Sequence, residues 1–73
     1  MKSLSEVQTE TFGHVYTLDE FIDDVCDGYL TPYDGIGFFH DGEGETKIDV
    51  WSIKTNDDIA LVENYPYVVW YNK

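Results

Sequence analysis

Five carboxylates, Asp19, Glu20, Asp23, Asp24 and Asp27, fall within nine residues, and no Lys or Arg stands among them. A helix through this stretch places them on its outward face. Three pairs then lie at i,i+4 (19/23, 20/24, 23/27) and two at i,i+3 (20/23, 24/27). Each like-charged pair costs ~0.2–0.5 kcal/mol in an isolated helix, on the order of 1–2 kcal/mol together. The helix N-terminus favours Asp19 and Glu20, whereas Asp27 stands at the unfavourable end of the dipole. Solvated faces usually intersperse Lys among their acids, and this one does not. It reads either as a plain solvated face or as a rigid array of carboxylates aimed at a basic protein surface. In the second reading, carboxylates four residues apart rise ~6 Å along the axis. That is of the order of the spacing of phosphates along a DNA strand, whose axial step is ~3.4 Å.

Asp41, Glu43 and Glu45 form a second acidic cluster in a Gly-punctuated segment. A calcium loop of the EF-hand type starting at Asp41 needs Gly at its sixth position and Glu at its twelfth. Those positions hold Thr46 and Ser52. A solubilising hairpin tip that extends the acidic surface is the expectation, with a loose divalent-cation site as the alternative.

Other chemistry finds few carriers. His14 and His40 are the only imidazoles, Cys26 falls on the apolar side of the helix as a core filler, and no GxSxG or HExxH pattern occurs. His40 is expected as an exposed strand-end residue. Gly35-Ile36-Gly37 lacks the third glycine and the following helix of a dinucleotide fingerprint. With no Arg, a phosphate clamp could use only Lys47 or Lys54. Neither an enzyme nor a bound cofactor or metal is expected.

The total charge supports a protein partner. Fifteen acids against 4 Lys give a formal net charge of -11 in 73 residues. That balance excludes direct phosphate contacts with nucleic acid and attraction to an anionic membrane. Disorder is the usual fate of so acidic a chain, but it goes with few aromatics. Here aromatics make up 16% and hydrophobic residues 42%, so a folded domain is expected. A chain of this length supports one small core, burying roughly 60% of the unfolded surface. No apolar run reaches signal-peptide or membrane-span length, and a single cysteine suits a reducing cytoplasm.

The elements that must position these groups follow from spacing. Residues 1–10 read as a flexible polar leader and 11–73 as a single α+β domain. Residues 11–16 suit a short strand. Thr17-Leu18-Asp19-Glu20 matches a capping box. Leu18, Phe21, Ile22, Val25, Cys26 and Tyr29 then fall on one helical face, and Gly28 supplies the stop, predicting a helix over about 18–27. Strands are predicted at 36–40, 47–53 and 67–71, with a type I′ turn at Asp41-Gly42 joining the first two. Residues 59–63 fit either a strand or a helical turn started by Asp57 or Asp58. The expected architecture is one amphipathic helix packed on a three- or four-stranded, mostly antiparallel sheet.

Trp51, Tyr65, Tyr67, Trp70 and Tyr71 crowd the second half. In the last strand Tyr67, Val69 and Tyr71 oppose Val68 and Trp70, so one buried face cannot hide them all. Trp51 and Tyr71 are therefore taken as partner-binding anchors rimmed by acids.

Thr17-Leu18-Asp19-Glu20-Phe21-Ile22, Tyr33-Asp34-Gly35-Ile36-Gly37-Phe38 and Val68-Val69-Trp70-Tyr71-Asn72 resemble segments of small uncharacterised acidic proteins of tailed phages. The resemblance spans about residues 17–72 and implies expression in an infected bacterial cytoplasm. In composition alone the chain is similar to phage-encoded DNA mimics such as the uracil-DNA glycosylase inhibitors. The leading expectation is a non-enzymatic inhibitor or modulator of a basic, nucleic-acid-binding host protein. Asp19, Glu20, Asp23, Asp24 and Asp27 would stand in for phosphates, and Asp41, Glu43 and Glu45 would extend the footprint. A homodimer or assembly module formed through the aromatic strands is the second expectation.

Overall fold

The computed structural model describes all residues from Met1 to Lys73 and is an α+β fold of three α-helices and a four-stranded antiparallel sheet. Along the chain come α1 (Leu4–Thr9), β1 (His14–Thr17), α2 (Leu18–Cys26), β2 (Gly35–His40) and β3 (Glu45–Asp49). A 3-10 turn (Val50–Ser52), α3 (Asn56–Val62) and β4 (Tyr67–Asn72) follow. The sheet order is β1-β4-β2-β3, so the last strand lies between β1 and β2.

That placement follows from the composition of β4. Its run of Tyr, Val and Trp is apolar on both faces, which suits a central strand buried on both sides. Val68 and Val69 are fully buried and Trp70 is 2% exposed. On one face, Val68 and Trp70 pack with Phe39, with Phe21 of α2, with Val50 of the 3-10 turn and with Val62 of α3. Gly35 and Gly37 of β2 clear the bed for the Trp70 indole. A Cβ at Gly35 would sit 2.7 Å from Trp70 Cζ2, and one at Gly37 would sit 3.2 Å from Cε3. On the other face, Val69 and Val15 pack with Val7 of α1.

The N-terminal segment is thus a structural cover, where a flexible leader was expected. Ser3 and Glu6 form a reciprocal capping box, and Val7 is 1% exposed. The Lys2 amide donates to the Gly42 carbonyl at 2.8 Å, and the Tyr67 hydroxyl donates to the Lys2 carbonyl at 2.9 Å. Gln8 protects the free edge of β1: its Oε1 accepts from the Val15 amide and its Nε2 donates to the Gly13 carbonyl, both at 2.8 Å.

α2 starts as expected, with the Thr17 hydroxyl accepting from the Glu20 amide at 3.2 Å. Thr17 is also the last residue of β1, opposite Tyr67, and the return bond from Glu20 is not made. The helix ends at Cys26 with Asp27 as its C-cap, and Gly28 follows at φ 83°. The Tyr29 amide donates to the Asp24 carbonyl at 2.9 Å and the Gly28 amide to the Val25 carbonyl at 3.1 Å. This pair is the Schellman arrangement that a left-handed glycine permits.

The second half differs from expectation in two places and decides a third that spacing left open. The strand predicted at 47–53 stops at Asp49, whose carboxylate accepts from the Trp51 amide at 2.9 Å and starts the 3-10 turn. Strand alternation would have split Val50, Trp51 and Ile53 between faces, whereas the turn directs all three at the core beneath α2. The connection at 41–44 is not a type I′ turn, because only Gly42, at φ 94°, has positive φ there. Instead the Asp41 carboxylate gathers the Glu43 and Gly44 amides, each at 2.8 Å. Residues 59–63 resolve as the end of α3, capped by Thr55 in a box with Asp58 rather than started by Asp57 or Asp58.

Two outcomes check this architecture. Val7→Ala removes two buried methyl groups and is expected to cost about 2 kcal/mol in urea denaturation; a change near zero would mean that α1 does not cover the sheet. The turn carboxylates should also titrate low. Backbone amides of Gly44 and Glu43 hold the Asp41 carboxyl below its ordinary value of 3.8. The Lys54 amide and Thr55 do the same for Asp58. A carboxyl depressed by folding contributes stability that is whole above the ordinary value and is lost as pH falls through the folded-state value. Carboxyl NMR titration is expected to show Asp41 and Asp58 protonating below 3.8, and titration at or above that value would mean the turns are not formed.

Candidate acidic interface

α2 carries the acidic array on a narrow footing. Phe21, 6% exposed, points into the core, with Leu18 and Val25 half-buried beside it. One flank continues with Ile22 and Cys26, and outside them runs the i,i+4 row Asp19, Asp23 and Asp27, all exposed. Glu20, exposed, and Asp24, half-buried, occupy the flank over β1. Their position is marked by Tyr16 of β1, whose hydroxyl is pushed above its ordinary pKa by burial and then by Asp24 and Glu20.

None of the five carboxylates is ion-paired. The two ion pairs of the molecule join the Met1 amino group to Glu43 at 3.3 Å and Lys2 to Glu10 at 2.7 Å, both on the α1 side. The Lys2 ammonium is raised chiefly by its hydrogen bond to Glu10. The chain's few cations therefore leave the α2 row untouched.

The expectation of one continuous acidic footprint is not met. Asp41 is spent on its own turn. Glu43 pairs with the Met1 amino group, and Glu45 accepts from the Tyr71 hydroxyl at 2.7 Å. Tyr71 packs with Val7 and Val69, so this cluster belongs to the face covered by α1, opposite the face covered by α2. The three carboxylates also turn to separate partners, and no group of three or more His, Cys, Asp or Glu residues is arranged to hold a metal ion.

The aromatic anchors are likewise engaged inside the fold. Trp51 is half-buried, donates its indole N–H to the Gly35 carbonyl at 3.1 Å and meets the Trp70 ring edge-on at 5.9 Å. Tyr71 is half-buried between Thr11, 3.1 Å away, and Glu45, and its hydroxyl is raised above the ordinary value first by burial. The exposed aromatics are Phe12, Tyr29 and Tyr33. β4, which carries the densest aromatic run, has neighbours on both sides and offers no free edge for pairing with a second copy.

Two minor expectations are corrected in the same way. Cys26 is exposed and not a core filler. α2 meets the sheet only along Leu18, Phe21 and Val25, so its Ile22–Cys26 flank overhangs a hollow. His40 is 5% exposed rather than an open strand end, because its Nδ1 accepts the Gly42 amide at 3.0 Å where the chain turns beneath α1. Sequence spacing did not single out Ile53, Ile59 and Glu63, which the structure brings to the overhung flank of α2. The Thr55–Asp58 capping box, followed by Ile59 and Val62 at i,i+3, was the available signal for them. No family model, no curated protein and no solved structure matches this chain.

Proposed function

We propose that this protein acts by stoichiometric binding to a basic surface of a nucleic-acid-binding protein, with the carboxylates of α2 occupying positions that phosphates would otherwise take. The observation that carries the reading is the array itself: five carboxylates on one short helix, none of them ion-paired. Such an arrangement works against the helix that holds it, and it is matched by a surface dense in Lys and Arg, which it would steer and orient. The footprint is the α2 side alone: Asp19, Glu20, Asp23, Asp24 and Asp27. Following the resemblance to phage proteins, the partner is a host protein of the bacterial cytoplasm and the effect is inhibition or modulation of its contact with nucleic acid.

The test is capture from a bacterial lysate on immobilised protein, with elution by salt and by duplex DNA in parallel. Nucleic-acid-binding proteins released by both eluents are the expected result. The variant carrying Asp23→Asn, Asp24→Asn and Asp27→Asn together is expected to bind the captured protein at least about tenfold more weakly, since three interfacial ion pairs are removed. Undiminished binding by that variant would refute the assignment to α2.

A further inference from the structure

Next to the acidic row of α2 lies an apolar hollow of about 330 Å³ between α2 and α3. Phe21, Phe39, Val50 and Val62 form its floor, and Ile22 and Ile59 stand on opposite rims. Ile22 is 48% exposed and Ile59 52% exposed, on helices that bury Phe21 and Val62 against the core; Leu61 of α3 and Cys26 of α2 are exposed as well. A second, wholly apolar hollow of about 240 Å³ continues beyond Ile22, past Cys26, to Trp51. Single exposed apolar residues are ordinary on a protein surface, but a contiguous one rimmed by charge marks an interaction site.

The charges on the rim follow a regular pattern. On α2 the apolar i,i+4 row Leu18, Ile22, Cys26 runs directly beside the acidic row Asp19, Asp23, Asp27. On α3 the same step leads from Ile59 to Glu63, which also lines the hollow. The α2 wall thus presents an apolar row inside and carboxylates at the lip, and the α3 wall presents Ile59 and Val62 and ends in one carboxylate, Glu63. A helix laid between two helices packs its own i±4 ridge into such a groove. Complementarity then requires apolar residues along that ridge and Lys or Arg beside it. A second copy of this chain does not fit, since each copy carries a net charge of -11 and would set acid against acid across the groove.

We propose that the α2–α3 groove seats the apolar stripe of a basic amphipathic helix of the partner, while Asp19, Asp23, Asp27 and Glu63 bind the flanking Lys and Arg side chains. The inference rests on the reading of a basic protein partner and adds to it that recognition is partly hydrophobic, with a helix as the recognised element.

Three synthetic peptides of equal length and positive charge test it at low salt: a Leu/Lys peptide with Leu along one helical stripe, a same-composition isomer with Leu scattered, and a Lys peptide with Ser in place of Leu. The striped peptide is expected to bind at least about tenfold tighter than the scattered isomer. Its shifts should fall on the methyl groups of Ile22, Val50, Ile59 and Val62 in NMR spectra. Joint replacement Ile22→Ser and Ile59→Ser, at two half-exposed positions, should abolish that advantage and leave binding of the Lys/Ser peptide within about twofold. Equal affinity of striped and scattered isomers, or an advantage that survives the double replacement, would overturn the groove assignment while leaving the acidic interface standing. Failure of all three peptides to bind would overturn the basic-partner reading as well.

Discussion

Everything in this fold answers to one constraint: β4 is apolar on both of its faces and must be covered twice. Val68 and Trp70 look one way and Val69 the other, and all three are buried. A 73-residue chain has little material for two layers, so it uses nearly all of it. α2, the 3-10 turn and α3 close one face, and α1 closes the other. Gly35 and Gly37 give up side chains so that the Trp70 indole can lie against β2. The tethers that hold α1, from Lys2 to Gly42 and from Tyr67 to Lys2, serve the same end.

Neither core has room for charge, so the fifteen acids are left to the surface, where their distribution is uneven. Those near α1 are tied: Glu10 to Lys2, Glu43 to the Met1 amino group, Glu45 to Tyr71 and Asp41 to its own turn. Their charge works within the structure. The carboxylates of α2 do no such work beyond the N-terminal turn, where Asp19 and Glu20 suit the helix dipole. Asp23, Asp24 and Asp27 oppose one another and make no ion pair. The same helix keeps Ile22 half-exposed over a hollow, so its outer surface combines uncompensated charge with unburied apolar area. Both features cost stability in isolation and both are matched by one kind of partner.

Local signals in the sequence held at the two ends of α2 and failed at Asp41-Gly42, where the Asp41 carboxylate and not a pair of positive-φ residues builds the turn. Thr17 and Gly28 bracket α2 because a side-chain cap and a left-handed residue act within a few positions. The α+β class and the terminal strand followed from periodicity and β-branched composition. What could not be read locally was the second face of β4: Tyr67, Val69 and Tyr71 looked surplus until α1 was in place to cover them. Ser3-Leu4-Ser5-Glu6 has the spacing of a capping box, yet the segment read as a flexible leader, because a six-residue helix has little stability of its own and forms only through its docking. The 3-10 turn shows the opposite limit. Val50-Trp51-Ser52 has strand composition, and only the Asp49 cap together with the demands of the core turns it aside. For the candidate site, the row of acids was legible as a charge pattern, whereas its separation from Asp41, Glu43 and Glu45 depended on which face of the sheet each joins. The groove depended on the packing of α3, whose register no local pattern of α2 could convey.

The central claim is that the α2 carboxylates are held against the interests of the fold. The measurement that bears on it most directly is urea denaturation at low salt of the variant with Asn at positions 23, 24 and 27, beside the parent chain. All five like-charged i,i+3 and i,i+4 pairs of α2 include one of these positions, and Asn differs little from Asp in helix propensity. The expected result is a variant more stable by on the order of 1–2 kcal/mol, with the difference shrinking as salt screens the parent's repulsion. A variant equal to or less stable than the parent at every salt concentration would show that these carboxylates belong to the scaffold, and the claim would fail.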